Sequence, residues 1–136
     1  MSGSNTAAVQ RTYAALAARD TEGMLALLDP AVRVRQSDAL PWGGTYDGRE
    51  GFLRFFAGVH QHLDSAVTIE RIVEAGDQVA VVGRTRGTVR ANGAAFDLAL
   101  VHVYDLRGGR IVGADLLIDT PAMLDRLEAP VSRAGA

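Results

Sequence analysis

Apolar positions recur along this chain with two different periods. Up to about residue 63 the spacing is helical; from Val67 onward it is two. Val9, Tyr13, Leu16 and Ala17 share one side at helical spacing and predict an amphipathic helix over 6–18. Asp20 is placed to cap a second helix, with Glu22 in its first turn and Met24, Leu27 and Leu28 on one side. Asp29-Pro30 ends that helix, because proline disfavours the helical state in the residue before it. Residues 32–36 alternate and predict a short strand. A third helix is predicted over 48–63, with Phe52, Phe55, Phe56 and Val59 on its apolar face. Beyond it, Val67, Ile69 and Ile72 begin a run of strands over 79–90, 94–106 and 111–118. The turns are Gly76-Asp77, Ala91-Asn92-Gly93 and Gly108-Gly109. Thr120-Pro121 opens a closing helix, the threonine as cap and the proline in the first turn.

The segment between the first strand and the third helix departs from both periods. Pro41, Gly43 and Gly44 interrupt regular structure around Trp42, the one tryptophan of the chain. Asp47 and Glu50 have the spacing of a capping box, each side chain reaching the other's amide. A tryptophan in such a stiff loop suits either a pocket rim or a plug at the end of a core.

Helices followed by an antiparallel meander make an α+β domain with helices on one sheet face. At 136 residues one domain is expected, burying roughly 68% of its unfolded surface. Its ordered core would span about 6–128, followed by a flexible tail over 129–136. The absence of cysteine removes disulfides and thiolate chemistry and fits a reducing cytoplasm. A net charge of −2, with acids and arginines interspersed, gives no footprint for nucleic acid. All basic residues are arginine and alanine is abundant, as in high-GC genomes. The start, Met1 to Thr6, has no pattern of a secretory signal, and no apolar run is long enough for a membrane span. His60 and His62 would point apart on a helix, so no metal site is expected.

The order of these elements resembles the SnoaL-like group of the nuclear transport factor 2-like superfamily, over about 9–127. The resemblance rests on Arg19-Asp20, on Pro41 to Tyr46 leading into Gly48-Arg49-Glu50, and on Gly76-Asp77. It rests also on His102-Val103-Tyr104 and on Gly109 to Val112 with Asp119-Thr120. It implies a cone-shaped fold, three N-terminal helices packed on a strongly curved, mainly antiparallel sheet. It also implies relatives that include polyketide cyclases, ketosteroid isomerases and limonene epoxide hydrolases. The isomerases' protonated acid then falls on His102, their general base near Arg35, and their helical tyrosine near Thr12, with Tyr13 one step on. The key acid of the cyclases and hydrolases falls on Leu116, which transfers no proton. Asp115 beside it faces the other side of an unbroken strand, unless a bulge at Gly113 turns it inward.

Alternation over residues 98–104 places Leu98, Leu100, His102 and Tyr104 on one face. A buried neutral imidazole there can accept or donate a proton, or can be a satisfied core histidine. The catalytic reading takes His102, Tyr104 and Asp115 as chemical groups. Trp42, Arg35, Tyr46, Phe56, Leu100 and Leu116 then contact an apolar carbonyl substrate. Proton transfer leading to ring closure or isomerisation needs no cofactor. The alternatives are a pocket that binds an apolar ligand without chemistry, a dimerisation domain, or an epoxide hydrolase. Arg84, Arg86 and Arg90 suit a solvated face or an interface, Glu74 and Asp77 are turn charges, and Asp119 belongs to the strand-to-helix turn. Ala99, Val101 and Val103 on the opposite face predict a homodimer through the sheet.

Overall fold

The computed structural model describes residues 2–131. Helices α1 (Ser2–Ala18) and α2 (Thr21–Ala26) precede β1 (Leu28–Gln36) and β2 (Gly44–Asp47). Helix α3 (Gly48–His62) then leads into β3 (Leu63–Ala75), β4 (Gln78–Val89), β5 (Ala95–Arg107) and β6 (Arg110–Ile118), and α4 (Thr120–Leu127) closes the chain. The strands form one open sheet in the order β2-β1-β6-β5-β4-β3. Only the β1–β6 pair is parallel. The core lies in the concavity, where Phe52 and Phe55 of α3 and Val9 of α1 meet Val34, Val79, Val81 and Ile111 of the sheet.

Two glycines allow the sheet to curl this tightly. A Cβ on Gly83 would lie 2.1 Å from the Thr68 carbonyl oxygen, and one on Gly87 only 1.9 Å from that of Asp64. Strand β3 therefore crosses close over β4 where side chains are missing. A bulge in β3 between Ile69 and Arg71 adds to the bend.

The second helix is shorter than its apolar pattern suggests. It stops at Ala26, and Leu28 already pairs with Ile111 in the sheet. Asp29 and Pro30 fall where the β1–β6 register shifts, so the missing proline N–H interrupts no regular ladder. The capping box at α3 does not form: Asp47 makes no side-chain cap bond and instead accepts from Arg33 Nε at 2.6 Å. At α4 the cap is Asp119, accepting from Ala122 N at 3.2 Å, rather than Thr120. The expected loop around Trp42 also contains a short strand, β2, paired to β1.

Asn92 does more than turn the β4–β5 hairpin. Its buried amide donates to the carbonyls of Arg126 and Ala129, both at 2.9 Å, and so satisfies the open end of α4. The chain is thereby held one residue into the expected tail; residues 132–136 of that tail lie outside the described residues. No helix among the described residues is long and apolar enough to cross a membrane.

Candidate functional site

Two inward residues of β5, Leu100 and His102, build the floor of a cavity. Leu98, Leu100, His102 and Tyr104 are all buried, because alternation along the strand sends them toward α1. Helix α1 meets them with Tyr13, whose hydroxyl lies 2.5 Å from His102 Nδ1, while Tyr104 Oη donates to Tyr13 Oη at 2.8 Å. The Tyr13 and His102 rings lie within 5° of parallel.

The direction of this chain fixes the histidine's tautomer. Tyr13 Oη is the one hydrogen-bond partner of the Tyr104 hydroxyl among the described residues. Running the chain the other way would bury the Tyr104 proton without an acceptor, at a cost of ~1–3 kcal/mol. With Tyr104 donating, the arrangement that leaves neither phenol proton unpaired has Tyr13 donating to Nδ1 and the imidazole proton on Nε2. Burial lowers the His102 pKa to about 4, so the ring is neutral near pH 7. Burial, reinforced by Tyr104, raises the Tyr13 pKa, and burial raises that of Tyr104 against the lowering effect of its bond to Tyr13. Both phenols stay protonated. His102 is therefore held as a neutral N–H donor on the floor of a largely apolar cavity, and not as a free base.

The walls come from the glycine-rich loop, α3 and α4. Trp42 is buried, with Nε1 donating to Gln36 Oε1 at 2.5 Å, and Gln36 Nε2 donates in turn to the Leu116 carbonyl at 2.8 Å. The tryptophan thus forms a fixed wall, tied through Gln36 to β6. Phe55, Phe56 and Val59 of α3 and Met123 of α4 complete an enclosure of about 340 Å³, a size suited to small organic ligands. Its mouth is framed by exposed residues: Ala17 of α1 and Arg19 just after it, His60 of α3, and Ala66 and Val67 of β3. No aspartate or glutamate lines it.

Of the residues singled out from the sequence, His102, Trp42, Phe56, Leu100 and Leu116 come together on this cavity. Tyr104 lies behind the floor and acts through Tyr13. Tyr46 lies outside the lining and supports the wall from behind, its hydroxyl donating to the Trp42 carbonyl at 2.8 Å. Asp115 and Arg35 are corrections. They pair with each other on the outer face, Arg35 Nε to Asp115 Oδ1 at 2.8 Å, and neither reaches the cavity. The cause is a bulge. Asp105 opposes Gly113 while Leu106 opposes Ile111, so Val112 is the extra residue. Inward positions then run Ile111, Ala114, Leu116. An unbroken strand starting from Ile111 would have turned Gly113 and Asp115 inward. The bulge thus lies one residue before Gly113 and sends the carboxylate out.

Sequence reasoning underused Tyr13 and Gln36. Tyr13 sits on the buried stripe of α1 between Val9 and Leu16, and a phenol on such a stripe needs a buried partner. Gln36 ends a strand next to the Trp42 loop, and nothing in its spacing marked it as the tryptophan's acceptor.

The sequence profile of the SnoaL-like domain matches residues 9–114. The chain belongs to that family. Among solved structures, this SnoaL-like domain is similar to an NTF2-like protein of unknown function from Burkholderia pseudomallei. The two are 30% identical, with a TM-score of 0.86 over 93% of this chain and 98% of the other. It is similar also to TerC, crystallised with polyporic acid, at 28% identity and a TM-score of 0.84 over 93% and 99% of the two chains. A candidate polyketide cyclase from Xanthomonas campestris shares its fold at 20% identity, with a TM-score of 0.81 over 93% and 98%. No match is found among curated proteins. The fold expected from the sequence, helices on a curved and mainly antiparallel sheet, is the one this SnoaL-like domain has.

Proposed function

We propose that the domain is a cofactor-free enzyme acting on an apolar carbonyl compound, of cyclase or isomerase type. His102 acts in it as a hydrogen-bond donor to the carbonyl oxygen. The observation that carries this reading is the Tyr104–Tyr13–His102 chain, which aligns a neutral N–H at the floor of a cavity with mostly apolar walls. As a proton leaves the carbon beside the carbonyl, negative charge grows on the oxygen, and a fixed donor stabilises that state more than the ground state. His102 keeps its proton, since replacing it from Tyr13 would create a phenolate whose formation burial opposes. The departing proton leaves through water in the open mouth, where His60 is the other imidazole of the lining. TerC's co-crystallisation with polyporic acid supports a small organic ligand for a cavity of this kind.

A second reading, a pocket that binds without turnover, is favoured by the lining itself, which contains no carboxylate and has Leu116 where the cyclases carry an acid. An epoxide-opening activity has the least support, for the same reason. The partner proposed for the domain is a second copy. Val101 and Leu117 pair on the outer face and are 38% and 57% exposed.

Deuterium wash-in separates these readings. Apolar ketones and β-dicarbonyls are incubated with enzyme in D2O, and exchange at the α-carbon is followed by NMR. Wild type should accelerate exchange. His102→Ala should reduce it about a hundredfold, the scale for losing one oxyanion donor. Tyr13→Phe should lower exchange and let the His102 15N spectrum show the Nδ1–H tautomer. Binding without exchange would leave the second reading standing, and full exchange in His102→Ala would sink the first.

A further inference from the structure

The mouth of the cavity carries an unusual arginine. Arg19 is the only non-glycine residue with positive φ among those described, at 56°. It occupies the left-handed position that ends α1, where glycine or asparagine is the usual choice. Holding a residue with a Cβ there strains the backbone. Backbone strain of this kind is retained where the side chain has a task.

The surroundings indicate that task. Arg33, Arg35, Arg84, Arg86 and Arg126 each have a carboxylate partner, and Arg49 and Arg90 donate to backbone carbonyls. Arg11, Arg54, Arg71, Arg107 and Arg110 have no side-chain partner among the described residues, but none of them lines the cavity. Arg19 lines the cavity and has no side-chain partner among the described residues. The neighbouring Asp20 carboxylate makes no ion pair with it and instead accepts from Gly23 N at 2.9 Å, capping α2. With no acid in the lining, the cavity has an unpaired guanidinium at its mouth and a neutral donor at its floor.

From this arrangement we infer that the ligand is an anion: an apolar, ring-sized carbonyl compound whose ionised acid group is held by Arg19 while its carbonyl oxygen reaches His102. Tyr13, which touches His102, and Arg19 are six positions apart along α1 and its end. At ~1.5 Å per residue this sets the backbones of Tyr13 and Arg19 roughly 9 Å apart along the helix. The span suits a flat molecule of about two fused rings lying against Trp42 and Phe56. The inference rests on the reading of the cavity as a small-molecule site and adds the charge of the ligand.

The test uses two probes of one shape, 2-naphthoate and 2-acetylnaphthalene, titrated at pH 7 and low salt. Fluorescence of Trp42, the sole tryptophan, reports binding from the cavity wall. Wild type should bind the naphthoate about tenfold or more tightly than the ketone, the scale of one charge-assisted contact. Arg19→Asn suits the left-handed backbone and removes the charge. It should bring the naphthoate to parity and leave ketone binding within about twofold, and Arg19→Lys should keep most of the preference. Equal binding by wild type, or a preference that survives in Arg19→Asn, overturns the inference while ketone binding sustains the cavity reading. If neither probe binds, both fail.

Discussion

On the inner face of β5, Leu98, Leu100, His102 and Tyr104 lie buried under α1. On its outer face Asp97, Ala99, Val101 and Val103 meet solvent or are only half-covered. Polar groups behave oppositely on the two sides. Inside, burial depresses the His102 pKa and raises those of Tyr13 and Tyr104, so all three stay neutral and are ordered by hydrogen bonds. Outside, Arg84 Nε and Arg86 Nε hold Asp97 across the strand pair at 2.5 and 3.1 Å, and Arg35 holds Asp115 on β6. These groups remain charged, and water screens them. Neutral groups held in low dielectric can be aimed at a ligand, whereas solvated ion pairs mainly keep the sheet soluble and in register.

The sharpest way to break this contrast is to collapse the curvature that separates the faces. Gly83→Ala places a methyl against the Thr68 backbone and should cost about 3 kcal/mol or more, with loss of the cavity. Chemical denaturation measures it, and a variant as stable as wild type would show that β3 does not need the gap.

The second largest effect is on pH dependence. The folded pKa of His102, about 4, lies below its ordinary 6.5, so between these values the unfolded chain binds more protons than the folded one. This contribution to stability is complete above about pH 6.5 and is lost as pH falls toward 4. With about 1.36 kcal/mol per unit, it amounts to roughly 3 kcal/mol. His102→Gln should therefore flatten the acid limb of a stability profile over that window. An unchanged limb would place the histidine in water.

On the outer face, Val101→Arg should dissociate the proposed dimer, read as a change to a 14.4 kDa species in sedimentation equilibrium. Wild type sedimenting as that species at tens of micromolar would dispose of the dimer itself.

The smallest effect belongs to Asp115→Asn. It removes an exposed ion pair and should move Tm by less than about 2 °C and leave α-proton exchange unchanged. A large loss of exchange would mean that the carboxylate reaches the cavity after all.

Much of this architecture was legible in the chain. The switch from helical spacing to alternation marks where the meander starts, and Gly76, Gly93 and the pair Gly108-Gly109 mark its turns. The alternation of β5 separates His102 from Val101 without further information, since side chains of successive strand residues point to opposite faces. The capping residue of α2 was equally readable, because Asp20 acts on an amide three positions away. Local spacing decides all of these.

What only the tertiary structure decided depends on partners far apart in sequence. Asp47 could have capped α3 but is drawn to Arg33 across the sheet. The bulge at Val112, which sets Ile111 on the same side as Ala114 and Leu116, is invisible in a run where Ile111, Val112, Ala114, Leu116 and Leu117 are all apolar. The tautomer of His102 depends on a phenol 89 residues away, and that phenol on another 91 residues from it. Periodicity fixes which face a side chain takes, because backbone geometry repeats locally. The state of a buried polar group depends on which donor the fold brings within 3 Å of it, and that is set by packing between elements that share no sequence pattern.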